Sequence, residues 1–260
     1  MKRIIIFHQS WNEMPTIGVS LKSILDLSND IYITEGLNDD SMGLPLISTD
    51  GTREIIEQFA IDNKDKVKKV YDSYQASGTK LRKGAQKENF NRMMRDSKPS
   101  PGDWILIHGG DEIYEQWCKL EIKERLMSDP EDDIFDIEDR NFINFQQYFV
   151  ERNIGLFRYT DGMTFKGTHR PHYKNKKQYG GVKWKDISIK KINKKGFVYH
   201  LGFLRSQNRL NDYIKLRAES ADWGKWKHVL KRHKLYDQDI APCIKKLFIN
   251  HEKGYSSTTF

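Results

Sequence analysis

Asp111 and Glu112 stand side by side just past an apolar run, Trp104 to Ile107, in the stretch GDWILIHGGDEIY of residues 102–114. The run is too short for an ordinary helix, and β-branched and aromatic residues bounded by glycine read as a buried strand. The two acids then sit beyond its carboxyl end, the edge at which open α/β sheets bind ligands. Carboxylates there suit a hard divalent cation such as Mg²⁺, which takes oxygen ligands and is often held by one or two acids, with substrate phosphate and water completing its shell. The competing reading is a polar turn in which Gly109 and Gly110 supply positive φ.

The elements that must position these acids follow from hydrophobic spacing. RIIIF (Arg3 to Phe7) reads as a first strand, and Ile17, Leu21, Ile24 and Leu25 recur at helical spacing after Pro15 and Thr16. IYITEG reads as a second strand. A helix carrying Ile55, Ile56 and Phe59 follows, with Thr52 as its N-cap, then a third strand at KVKKVY and a helix with Phe90, Met93 and Met94 on one face. Strand and helix thus alternate to about residue 115, which implies parallel βαβ units with right-handed crossovers. Beyond it, residues 116–128 suit a helix, IFDIEDRNFI and QQYFV suit strands of a mixed sheet, and DISIKKINKKGFVYH reads as a hairpin turning at Asn193 to Gly196. The tail from Leu210 is expected to be helical. The expected division is a main domain over 1–207 and a helical C-terminal extension over 208–260 packed on it.

The chain has 260 residues, 37% hydrophobic and 31% charged, which is the range of a globular protein. No apolar stretch approaches the roughly 20 residues that span a bilayer. The opening MKRIIIFHQS is too poor in apolar residues for a signal peptide. Cys118 and Cys243 form no CxxC pair, so reduced thiols and a cytoplasmic chain are expected. Charge is polarised: residues 151–260 hold 25 Lys+Arg against 9 Asp+Glu, whereas residues 1–150 hold 19 against 27. The basic half is suited to an anionic partner, whether nucleic acid, a membrane surface or a phosphorylated substrate; the competing reading is a solvated lysine-rich surface.

Four stretches in order, ITEG (33–36), STDGT (48–52), GAQKENF (84–90) and GDWILIHGGDEIY, resemble the family 2 nucleotide-sugar glycosyltransferases of the GT-A fold. The subgroup that transfers sugars onto lipopolysaccharide cores and similar glycans is the nearest in pattern. YHLGFLR (199–205) resembles the H-x-G-x-x-R segment near the end of many such catalytic domains. The likeness covers residues 3–115 and 197–205. Gly109 stands where the first acid of the family's D-x-D would be, an insertion (37–47) separates Glu35 from STDGT, and the usual H-E pair is absent near FKGTHRPHY (165–173).

The resemblance implies a mixed central sheet flanked by helices and a metal-dependent, inverting transfer of sugar from a nucleotide-diphosphate donor to a glycan or glycolipid acceptor. It places Glu35 and Asp50 near the base and ribose, where carboxylates accept hydrogen bonds, with Asp50 also readable as a helix-start residue. Lys80, Arg82, Lys83 and Lys87 precede or begin a helix and could neutralise a diphosphate; Lys83 and Lys87 lie nearest the matched segment, and Asn89 takes the family's asparagine position. Asp111 is the expected ligand of Mn²⁺ or Mg²⁺, assisted by Glu112, with His200 recruited in place of the missing first acid. A base must take the acceptor proton, and Asp186 is the first candidate, followed by Glu138 and Asp139. His169 and His172 lack the companions of a zinc site and read as acceptor-side or surface groups. Trp223, Trp226, Val229 and Leu230 beside Lys225, Lys227, Lys231 and Arg232 could lie peripherally on an anionic membrane, or pack on the main domain. The rival classes are a basic nucleic-acid-binding protein, for which no RNA-binding signature or zinc-finger spacing is present, and an inactive GT-A-like glycan-binding module.

Overall fold

The computed structural model describes residues 2–37, 44–74, 82–128, 133–144, 147–165, 171–172, 189–192, 197–202, 204 and 234–235. The first half alternates as its periodicity implies: β1 (Ile4–Ser10), α1 (Ile17–Ile24), β2 (Asp30–Glu35), α2 (Thr52–Asp62), β3 (Val67–Asp72), α3 (Arg82–Ser97) and β4 (Trp104–Gly109). There follow β5 (Glu112–Tyr114), α4 (Gln116–Met127), β6 (Ile134–Asn144), β7 (Gln147–Arg158), β8 (Thr164–Phe165), β9 (Pro171–His172), β10 (Ile189–Ile192), β11 (Val198–His200) and β12 (Lys234–Leu235). The result is a mixed central sheet flanked by helices, the architecture that the GT-A resemblance implies.

Strand order is β3-β2-β1-β4-β7-β6-β11-β5. The first four strands are parallel, and β7 joins β4 antiparallel. Successive residues of a strand point to opposite faces, and the core divides accordingly. Ile6, Trp104 and Leu106 pack with Ile17, Leu21 and Ile24 of α1 and Ile56 of α2 on one face. Ile5, Phe7, Ile105 and Ile107 pack with Phe90, Met93 and Met94 of α3 on the other. Burying each such side chain contributes about 1.5–3 kcal/mol, so the central parallel strands are the best anchored part of the sheet.

Two local expectations need correction. Thr52 is the first helical residue of α2 and not its cap: Gly51, at φ 93°, occupies the cap position, and the Thr52 hydroxyl accepts from the Glu13 amide at 2.7 Å. Among the described residues the expected hairpin is also absent. β10 and β11 pair not with each other but in turn with one edge of β6, parallel to it, β10 along Ile134–Ile137 and β11 along Asp139–Asn141. β6 has 11 residues, enough to carry two short strands end to end. Of the expected C-terminal extension, β12 is described, pairing antiparallel with Gln147 and Tyr148 of β7; the Trp223 to Arg232 stripe and Cys243 lie outside the described residues. His172 falls on the small β8–β9 ribbon, and His169 lies outside the described residues.

Candidate functional site

β1 has β2 on one side and β4 on the other, so the chain runs outward through β2 and β3 and then returns past β1 to β4; the crevice in which open α/β sheets bind ligands is expected at this switch point, beyond the carboxyl ends of β1 and β4. The Gly109–Asp111 turn stands at that point, with Gly109 in register with Gln9 of β1. Neither Gly109 nor Gly110 has a positive φ. Their smallness is what the turn requires: a Cβ on Gly110 would come within 2.9 Å of Ser10 Cβ, and one on Gly109 within 3.0 Å of Asp111 Oδ1. Helix α1 then holds the turn from below. The Ser20 hydroxyl donates to the Gly109 carbonyl at 3.0 Å, the Thr16 hydroxyl reaches the Gly110 carbonyl at 3.0 Å, and the Gly109 amide donates to Glu112 Oε2 at 3.0 Å.

Beneath the turn lies a buried pair of imidazoles, His8 of β1 and His108 of β4, with their Nδ1 atoms 2.8 Å apart. The Glu112 carbonyl, 3.0 Å from His108 Nε2, can only accept, so Nε2 of His108 carries its proton. His108 Nδ1 therefore accepts and His8 Nδ1 donates. Burial, followed by the neighbouring His108, pushes His8 far below its ordinary pKa against the pull of Asp111. Burial likewise pushes His108 down to about 4, opposed by the Glu112 carbonyl and Asp111. The pair is neutral near pH 7 and acts as a rigid prop linking β1, β4 and the start of β5. Neither histidine stands out in the sequence, because the signal is their juxtaposition across two strands.

Three strands distant in sequence complete the edge. β11 slots between β5 and β6, with His200 in register with Glu112 on one side and Asn141 on the other. Ligand atoms of Glu112, Asp139 and His200 all lie within 4.8 Å of one another. His200 Nε2 is also 3.6 Å from Asp111 Oδ2, and the Leu201 amide donates to the Asp111 carbonyl at 2.9 Å. The expected metal trio of Asp111, Glu112 and His200 is thus gathered at one place, and Asp139, expected among the base candidates, lies with it. Glu138 does not. Strand alternation turns it to the opposite face of β6, where it pairs with Arg140 at 2.7 Å. Asp186 lies outside the described residues.

The expected donor residues are nearby but occupied with the chain itself. Glu35, buried at the end of β2, accepts from the Ser48 amide at 3.0 Å and faces Arg53 at 3.4 Å. Asp50 accepts from the amides of Met14 at 3.0 Å and Thr52 at 3.1 Å, tying the loop after β1 to the start of α2. Asn89 accepts from the Tyr74 amide at 2.8 Å and donates to Ser73 at 2.9 Å. Lys87 pairs with Glu88 at 3.2 Å, and Lys83 lies in α3 with its side chain outside the described set. These acids and amides order the loops around the crevice.

The donor set at the edge fits a divalent cation: two or three carboxylates and an imidazole converge, and His200 Nδ1 meets no hydrogen-bond partner among the described residues. No family model matches the chain, and no curated protein matches it. Among solved structures it is similar to S. aureus TarS 1–349, over all of this chain and 74% of that one, at 13% identity and a TM-score of 0.45. It is also similar to 4-diphosphocytidyl-2C-methyl-D-erythritol synthase, over 61% of this chain and 76% of that one, at 8% identity and a TM-score of 0.38.

Proposed function

We propose that the chain is a metal-dependent, inverting glycosyltransferase that moves a sugar from a nucleotide-diphosphate donor to a hydroxyl of a glycan or glycolipid. The observation that carries this reading is the convergence of Asp111, Glu112 and His200 beyond the β1–β4 crevice, where a diphosphate and its cation would meet. In this reading Asp111, Glu112 and His200 hold Mn²⁺ or Mg²⁺. The bound cation supplies charge neutralisation to the leaving diphosphate. Asp186 takes the proton of the acceptor hydroxyl as its oxygen bonds to the anomeric carbon and the bond from that carbon to the diphosphate oxygen breaks. Glu35, Asp50 and Asn89 keep the walls of the donor crevice in place through the contacts described above. Lys83 and Lys87 add positive charge where α3 begins.

A second reading is favoured by Gly109, which removes one carboxylate from the family's metal motif: a glycan-binding module that retains the fold without turnover. Hydrolysis or transfer of a nucleotide sugar separates the two. The leading reading is tested by melting the protein with nucleoside diphosphates and nucleotide sugars, with Mn²⁺ or Mg²⁺ and with chelator. A ligand of the native state raises the melting temperature as its concentration exceeds its dissociation constant. One diphosphate is expected to do so strongly with metal and weakly with chelator; equal shifts in both buffers would defeat the metal-bridged donor site.

A further inference from the structure

We infer that this edge is a cation site complete in the protein itself, in which Asp139 and the amide oxygen of Asn141 join Glu112 and His200, with Asp111 adjoining them, and that it is selective for Mn²⁺ over Mg²⁺. The inference deepens the transferase reading, on which its catalytic meaning rests. A cation shared with a diphosphate needs few protein ligands. Here three side chains already have donor atoms within 4.8 Å of one another.

Asn141 is the independent observation. It is 1% exposed, yet neither Oδ1 nor Nδ2 finds a hydrogen-bond partner among the described residues. Buried amides are ordinarily satisfied, and an orphaned one points to a bound ion or a functional role. Its placement says which. In-register neighbours project from the same face of a sheet, so Glu112, His200 and Asn141 form one row across β5, β11 and β6, and Asp139 is two residues away on that face. The stacking of Phe142 on Tyr199, on the opposite face, confirms the alternation. His200 Nδ1 is likewise without a partner among the described residues. A set of two carboxylates, one imidazole and one amide oxygen is mixed N/O chemistry, which suits Mn²⁺ better than Mg²⁺, whose preference is for oxygen and retained water.

The test is a titration of the full chain, stripped with chelator and desalted, with MnCl₂ in the absence of nucleotide, free Mn²⁺ being read by electron paramagnetic resonance and Mg²⁺ added as competitor. One Mn²⁺ per chain is expected, at least about tenfold tighter than Mg²⁺. His200→Ala and Asp139→Asn should each weaken it by about tenfold or more. Asn141→Asp, nearly isosteric, should tighten it, and this variant decides the matter if the others fail to fold by circular dichroism. Absence of Mn²⁺ binding without nucleotide, or Asn141→Asp binding like the parent, would overturn the inference. Mn²⁺ bound only together with a nucleoside diphosphate sinks the protein-only site and leaves the transferase reading; Mn²⁺ bound with no nucleotide affinity does the reverse.

Discussion

Asp111 and His200 face each other at 3.6 Å from opposite ends of the chain's matched segments. Asp111→Asn keeps the shape of the side chain and removes its charge. Transfer activity should fall while the melting temperature stays near that of the parent; unchanged turnover would return Asp111 to a role in the turn. If Asp186 is the base of the proposed transfer, Asp186→Asn should depress transfer by about 10²-fold or more, the usual scale for a positioned base, with donor affinity little altered. Loss of donor binding in that variant would make Asp186 a donor-site residue instead. Among the residues beneath the edge, His8 and His108 were not legible from sequence, although both lie in strands that were. Their pairing depends on the register between β1 and β4, which apolar periodicity does not encode. That Asp111, Glu112 and His200 would come together was legible because the order of motifs in the family the chain resembles links residues that are distant in the chain, where spacing alone could not.

The turn between β4 and β5 is an element whose geometry can be tested without touching a charge. Gly110→Ala would drive a Cβ to within 2.9 Å of Ser10 Cβ and Glu13 Cβ. Overpacking of this kind costs about 1–3 kcal/mol, and the turn would move outward, taking Asp111 with it. Denaturant melts should show the loss of stability, and the proposed metal-dependent turnover should fall beyond what that loss explains. Parent-like values for both would mean that the end of β1 and the loop after it yield easily at this point. At this scale the sequence was legible wherever local periodicity decides: the seven elements from β1 to β4 lie within a few residues of their expected positions. It was misleading at β10 and β11, since two adjacent strand-like segments read as a hairpin by default. What prevailed was the long free edge of β6, a non-local partner that a window of neighbouring residues does not contain.

Over the whole molecule, the end of the sheet opposite the candidate site is clasped by Arg3, which joins Asp103 at 2.9 Å and Asp30 at 3.3 Å. Burial alone would raise the Asp103 carboxyl, but hydrogen bonds from the Ser100 and Arg3 amides and from the Arg3 guanidinium outweigh it and hold the pKa below the ordinary aspartate value. Because the folded carboxyl binds its proton less readily than the unfolded one, its contribution to stability is present above about pH 4 and is lost as pH falls below that. Denaturant melts at descending pH should therefore show a decline that is shallower in Asp103→Asn, which starts less stable by about 1–3 kcal/mol; parallel curves would remove Asp103 from the acid response. At the other end, the insertion of β11 between β5 and β6 has a consequence for assembly during synthesis. Until residues 198–200 leave the ribosome and dock, β5 lacks its partner and the Asp139–Asn141 edge of β6 is bare, the kind of open border on which chains join one another. The same docking event brings His200 to Glu112 and Asp139, so closing the border and assembling the proposed ligand set are one step, and a chain stalled before it would be both sticky and without that site.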